Sequence, residues 1–269
     1  MASMIAEKLE EHMDLGLTDK VVFIAGASRG IGHGIAKSLL EEGAKVALTA
    51  RGAEALEATR KEFAAAYGEG KVWSFAGDLT QSEGINAAVE ACEKAFGPIR
   101  GAVANVGLSP SPLGLDVSDE EWQGGLDQNL NSAFRLARAG IPRISANGGG
   151  SFLFISSIAG LASLGSPLIY GATKAAVNHL STSIARFSGK TNVRVNTIAP
   201  GNIIFPGGDW VRNATGPRAE AWAKWIKREV PLNRFGTPQE IGDTAAFLLS
   251  DRASFINGAV VAVDGGQTR

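Results

Sequence analysis

Short apolar runs alternate along the chain with longer stretches of helical spacing. The apolar runs are VVFIA (21–25), KVALTA (45–50), KVWSFA (71–76), GAVANV (101–106), SFLFIS (151–156), VRVNTIA (193–199) and AVVAVD (259–264). Each is rich in Val, Ile, Leu or Phe and bounded by polar or glycine-containing segments, the pattern of strands buried on both faces. Between them lie segments such as GIAKSLLEEGA and INAAVEACEKAFG, whose apolar residues recur at helical spacing. Strand–helix alternation of this kind builds βαβ units with right-handed crossovers. The expected fold is therefore α/β: a doubly wound, parallel, seven-stranded sheet with helices on both faces.

No linker, repeat or low-complexity segment interrupts the alternation, so residues 17–269 are expected to form a single domain. Residues 1–16 are read as an extension outside it, disordered rather than helical; the stretch MASMIAEKLEEHM is acidic and lacks the apolar core of a secretory signal. The stretch from 202 to 230 breaks the strand pattern. It opens with NIIFPGGDW and holds Trp210, Trp222 and Trp225, three of the five tryptophans. An aromatic-rich insertion after the sixth strand is expected to act as a lid over a substrate.

Composition narrows the function. With 26 basic and 27 acidic residues the net charge is −1, which predicts no general attraction to nucleic acid or anionic lipid. The uncharged run from Ile144 to Thr173 is long enough to span a bilayer, but serines, a glycine triplet and Pro167 divide it into strand, loop and helix start. No membrane association is expected. Cys92 is the single cysteine, which excludes an internal disulfide and fits a reducing cytoplasm; its place on a helical apolar stripe makes it a small core residue. His12, His33 and His179 share no ligand spacing, so no metal site is expected.

Two clusters carry candidate chemistry. The first strand runs straight into GASRGIG and then a helix, with Gly26, Gly30 and Gly32 placed to make a tight turn and to let a pyrophosphate approach a helix N-terminus. In the second cluster, SSIAGLASLGSPLIYGATK, Tyr170 precedes Lys174 by four residues, so a helix presents both on one face. Free tyrosine has a pKa near ~10, too high for proton transfer at neutral pH. A lysine ammonium beside it would lower that value, and a carboxylate, absent from this stretch, would oppose the shift.

These motifs together resemble the short-chain dehydrogenase/reductase family, with a Rossmann-type fold, over about residues 17–266. The resemblance rests on the GxxxGxG turn, ANVG at 104–107, NLNSAF at 129–134, SS at 156–157, YGATK at 170–174, APG at 199–201 and VDGG at 263–266. PLNRFGTPQEIGDTAAFLLSD is similar to the 3-oxoacyl-carrier-protein reductase branch and its sugar-, polyol- and steroid-active relatives. The resemblance implies Tyr170 as proton donor or acceptor and Lys174 as its electrostatic partner and ribose ligand. It implies Ser157 as a hydrogen-bond donor to the reacting oxygen and Asn129 as a support for a proton relay. It carries cofactor contacts onto Gly26, Ser28, Arg29, Gly30, Ile31, Gly32, Arg51, Asp78, Leu79, Asn105, Gly107, Tyr170, Lys174, Pro200, Gly201 and Ile203.

Charge argues for the form of the cofactor. An acid at the end of the second strand would repel a 2′-phosphate, and this chain has Arg51 there, with Arg29 inside the glycine turn. The expectation is an NADP(H)-dependent oxidoreductase interconverting a ketone and a secondary alcohol, with NAD(H) possible in its place. The alternatives are an NAD-dependent sugar or polyol dehydrogenase and a non-catalytic dinucleotide-binding sensor or scaffold. Its partners are expected to be a small carbonyl or alcohol substrate and further copies of itself, as a homotetramer or homodimer. The sequence departs from the family pattern at Ala104 and Val106, and at Phe205, where relatives often place a threonine.

Overall fold

A computed structural model describes residues 13–107 and 112–268. Seven strands form one parallel sheet: β1 (Val21–Ala25), β2 (Lys45–Ala50), β3 (Val72–Ala76), β4 (Ile99–Ala104), β5 (Gly150–Ile155), β6 (Val193–Pro200) and β7 (Val260–Val263). Their order across the sheet is β3-β2-β1-β4-β5-β6-β7. The chain winds outward from β1 to β3, then crosses back to β4 on the other side of β1. That reversal opens a crevice at the C-terminal ends of β1 and β4, the place where doubly wound sheets bind ligands.

The period-2 alternation of the strands builds two cores. Val22 and Ile24 of β1 face one layer, formed by helices α1 (Gly30–Glu41), α2 (Ala53–Tyr67) and α9 (Pro238–Leu249) through Ile35, Leu39, Leu56, Phe63 and Ile241. Val21, Phe23 and Ala25 face the other, formed by α3 (Ser82–Phe96), α5 (Ser132–Ala146) and α6 (Leu168–Ser188). Cys92 is buried in this second core, and burial pushes its thiol up to about 12.

The fourth strand differs from the expected 101–106. It ends at Ala104, because Asn105 turns out of the sheet and donates its Nδ2 to the Gly26 carbonyl at 2.8 Å. Ahead of α5, helix α4 (Asp119–Leu126) begins with a capping box in which Ser118 and Glu121 satisfy each other's backbone N–H groups. Between α4 and α5 the helix widens over Asp127–Asn131 into a π-type turn that no apolar periodicity foretells. Two further helices, α7 (Asp209–Thr215) and α8 (Ala219–Glu229), fill the excursion after β6. Of the expected extension, residues 1–12, His12 among them, lie outside the described residues. No described helix is long and apolar enough to cross a membrane.

Candidate active site

The turn after β1 is built by close approach. Gly26 and Gly30 have φ of +77° and +60°, in the left-handed region that favours glycine. A methyl group at Gly32 would sit 2.1 Å from the Gly26 carbonyl oxygen, so only glycine lets α1 start this close to the strand end. Three neighbours fix the turn. The Thr49 carbonyl accepts from the N–H groups of Gly26 and Ala27, Asn105 donates to Gly26, and Thr59 donates to the Ser28 carbonyl at 3.1 Å. Ile31 is partly buried against the first core.

Arg29 and Arg51 are exposed, and neither forms a salt bridge among the described residues. Asp78 accepts from the Thr80 N–H at 2.9 Å and its hydroxyl at 2.8 Å. These bonds, and then the nearby Arg51 charge, hold its carboxyl below the usual range. Leu79 turns its side chain into the second core, leaving only its backbone for a ligand. Gly201 donates its N–H to the Val263 carbonyl at 3.0 Å and packs against Asp264, while Ile203 is buried in the first core. Pro200 ends β6.

The sequence-designated catalytic residues converge beyond the C-terminal ends of β4 and β5. Asn129, from the π-type turn, is 3% exposed and donates Nδ2 to the Gly125 carbonyl at 3.1 Å. Lys174, from α6, is 5% exposed and donates Nζ to the Ile155 carbonyl at 3.0 Å. A methyl group at Gly107 would lie 2.9 Å from Asn129 Oδ1 and 3.1 Å from Lys174 Nζ, so the three positions meet at one point. Lys174 Nζ also stands 5.7 Å from the Tyr170 ring centre. Ser157, after β5, hydrogen-bonds the Tyr170 phenol and accepts from the Ala159 N–H at 3.1 Å.

The electrostatics of this site run against the expected lowering of the phenol. Burial pushes the Tyr170 phenol up, and the Ser157 hydrogen bond opposes that without overcoming it. The same burial brings the Lys174 ammonium down from 10.5 to about 8. Both charged forms pay for leaving water.

Sequence reasoning missed where Phe205 points. Its ring lies on the glycine turn: a methyl group at Gly30 would be 2.8 Å from two of its ring carbons. The excursion is pinned at its base by a bridge between Ile203 and Gly236. Its tryptophans are committed to one another. Trp210 stacks on Trp225 at 5.8 Å, meets Trp222 edge-on at 5.4 Å and touches Phe235 at 5.5 Å. Among the described residues, no group of three or more His, Cys, Asp or Glu is arranged to hold a metal ion.

A crevice at the switch point of a doubly wound sheet, with a glycine turn on one side and a Tyr–Lys–Ser–Asn cluster on the other, defines a dinucleotide-dependent class of oxidoreductase. A family model described as enoyl-(acyl carrier protein) reductase matches residues 26–268. The chain is 36% identical to a 3-oxoacyl-[acyl-carrier-protein] reductase of Chlamydia muridarum, over 93% of this chain and 98% of that protein. It is 33% identical to D-threitol dehydrogenase of Mycolicibacterium smegmatis, over 98% of each. The crystal structure of L-sorbose reductase from Gluconobacter frateurii, complexed with NADPH and L-sorbose, superposes with a TM-score of 0.89 at 33% identity, covering 96% of this chain and 99% of that one. The chain belongs to the short-chain dehydrogenase/reductase family.

Proposed function

We propose that this chain interconverts a ketone and a secondary alcohol with NADP(H), with Tyr170 as the acid–base group. The observation that carries the reading is the meeting of Asn129, Ser157, Tyr170 and Lys174 beside the glycine turn. The residues present fit a dinucleotide. The positive-φ turn at the start of α1 gives a pyrophosphate its backbone donors, and two exposed arginines suit a 2′-phosphate. The cofactor supplies or accepts the hydride.

The chain's own residues handle the oxygen and its proton. Ser157 holds the carbonyl oxygen, and Tyr170 gives it a proton as negative charge builds there. A phenol pushed up by burial keeps that proton at neutral pH, which suits reduction. Lys174, still mostly protonated below about 8, supplies the positive charge that offsets the phenolate formed. Asn129 anchors the inner end of a proton path from solvent. The compartment proposed is the cytoplasm and the assembly a homotetramer or homodimer, with exposed Phe187, Phe247 and Phe255 as apolar contact surface.

The test is oxidation of NADPH by purified protein against a panel of ketoses, 3-oxoacyl thioesters and cyclic ketones. Tyr170→Phe should lower turnover by at least about 10²-fold, the scale of one general acid, while NADPH binding survives, since the phenol is not its main anchor. Near-normal turnover in that variant would remove Tyr170 from the chemistry. Turnover absent across the panel in wild type, with NADPH still bound, would favour a dinucleotide sensor.

A further inference from the structure

The opposite end of the sheet carries a second concentration of charge. Lys20 precedes β1, Arg100 is the second residue of β4, and Arg194 is the second residue of β6. With Asn192, Asp251 and Ser254 they line a cavity of about 170 Å³ at the N-terminal ends of the strands. All the residues assigned to chemistry above follow the C-terminal ends, so this cavity is separated from them by the length of the sheet.

Its charges do not balance. Lys20 Nζ pairs with Asp251 at 2.7 Å. The two arginines meet only neutral acceptors. Arg194 donates to the Leu248 and Ser250 carbonyls, both at 2.8 Å, and Arg100 donates to the Asn147 carbonyl at 3.0 Å. Arg100 Nε is buried and has no hydrogen-bond partner among the described residues. Three cations against one carboxylate leave two positive charges in a half-enclosed space. Arg194 has a structural task, clamping the end of α9, whereas Arg100 gives the protein one Nη1 hydrogen bond; its buried Nε does not face the cavity.

We propose that this cavity is a binding site for a small phosphate-type oxyanion, held by Arg100, Arg194 and Lys20. The Arg100 guanidinium supplies hydrogen bonds to tetrahedral oxygens, Arg194 and Lys20 supply positive charge, and a dianion neutralises the excess. A cavity of about 170 Å³ has room for phosphate carrying a short organic group. The ligand ties the starts of β1, β4 and β6 to the segment after α9, so it stabilises the fold at the end remote from catalysis.

The experiment is thermal unfolding titrated with inorganic phosphate, ionic strength being held constant with chloride. The melting temperature should rise saturably in wild type and equally in Arg51→Ala, which removes a phosphate partner at the cofactor end. Arg100→Met should weaken the response at least tenfold and leave phosphate-free kcat unchanged. Should that variant not fold, Lys20→Met, which lowers the site charge by one, should weaken the response in the same sense. A parallel titration with glycerol phosphate separates the sources: tighter binding supports a phosphomonoester, equal binding supports free phosphate. A response lost in Arg51→Ala and kept in Arg100→Met would assign the phosphate to the cofactor end and overturn the proposal. So would a rise no larger than chloride gives.

Discussion

The Phe205 ring covers the α-carbon of Gly30, so close that a methyl group on the glycine would lie 2.8 Å from the ring. The carbonyl of Phe205 accepts from the Gly208 N–H at 3.0 Å, which folds the Phe205–Gly208 turn back over the start of α1. We propose that a pyrophosphate approaching Gly30 displaces the ring. Phe205→Ala should therefore tighten NADPH binding by about tenfold, the equivalent of ~1.4 kcal/mol of apolar contact no longer broken. Isothermal titration of both proteins reads this directly. Weaker binding by the alanine variant would mean that the ring contributes to the bound state instead of obstructing it.

Lys174 gives a pH dependence with a defined sign. The unfolded chain keeps its ammonium up to about 10.5, while the buried group releases its proton near 8. Between those values the unfolded state binds more protons, so this residue makes stability rise with pH. Below pH 8 the buried cation is a constant cost. Lys174→Met lacks this dependence. In urea unfolding the wild type should gain on the variant by about 1.6 kcal/mol between pH 8 and pH 9.5, at 1.36 kcal/mol per unit and with the buried amine half-protonated at pH 8. A difference that stays flat across that window would show that Lys174 is solvated and carries an ordinary pKa.

Much of this was legible in local sequence. The runs at 21–25 and 45–50 became strands with those bounds, because strands buried on both faces have apolar runs that end where the chain leaves the core. Tyr170 and Lys174 share α6, so helical spacing alone brings them together. The misses are long-range. Asn105 leaves β4 to serve Gly26, and Phe205 settles on Gly30, through contacts that no local periodicity encodes. The π-type turn that carries Asn129 inward depends on packing between helices. The pairing of Arg100 with Arg194 in one cavity depends on β4 and β6 flanking β5, which is a property of strand order.

Arg51 is exposed at the end of β2, near enough to Asp78 to help hold its carboxyl ionised. Its own charge remains available to a 2′-phosphate. NADPH should be preferred over NADH in kcat/KM, and Arg51→Asp should erode or reverse that preference, since two adjacent carboxylates would repel the phosphate. Steady-state kinetics with both cofactors decides it. A wild type that prefers NADH would assign Arg51 to the solvated surface.

The excursion at 202–230 is proposed to close over the substrate as a unit. Helix α7 has no buried residue and α8 has one, Ile226, so the pair is held to the body chiefly through Ile226, Val230 and the Ile203–Gly236 bridge. Inside the pair, the Trp210, Trp222 and Trp225 rings and Phe235 form their own small core. A rigid flap on a thin attachment exchanges its amides faster than the sheet when free and slower when it is closed. Hydrogen exchange with NADPH, and then with NADPH and a substrate found by the panel, should show protection gained over 209–229 while β4 and β5 stay constant. Trp210→Leu removes the ring that touches the other three. It should speed exchange in that segment and raise KM by several-fold, with the sheet unaffected. If α7 and α8 are as protected in the free enzyme as β5, the excursion is a fixed part of the body and does not close.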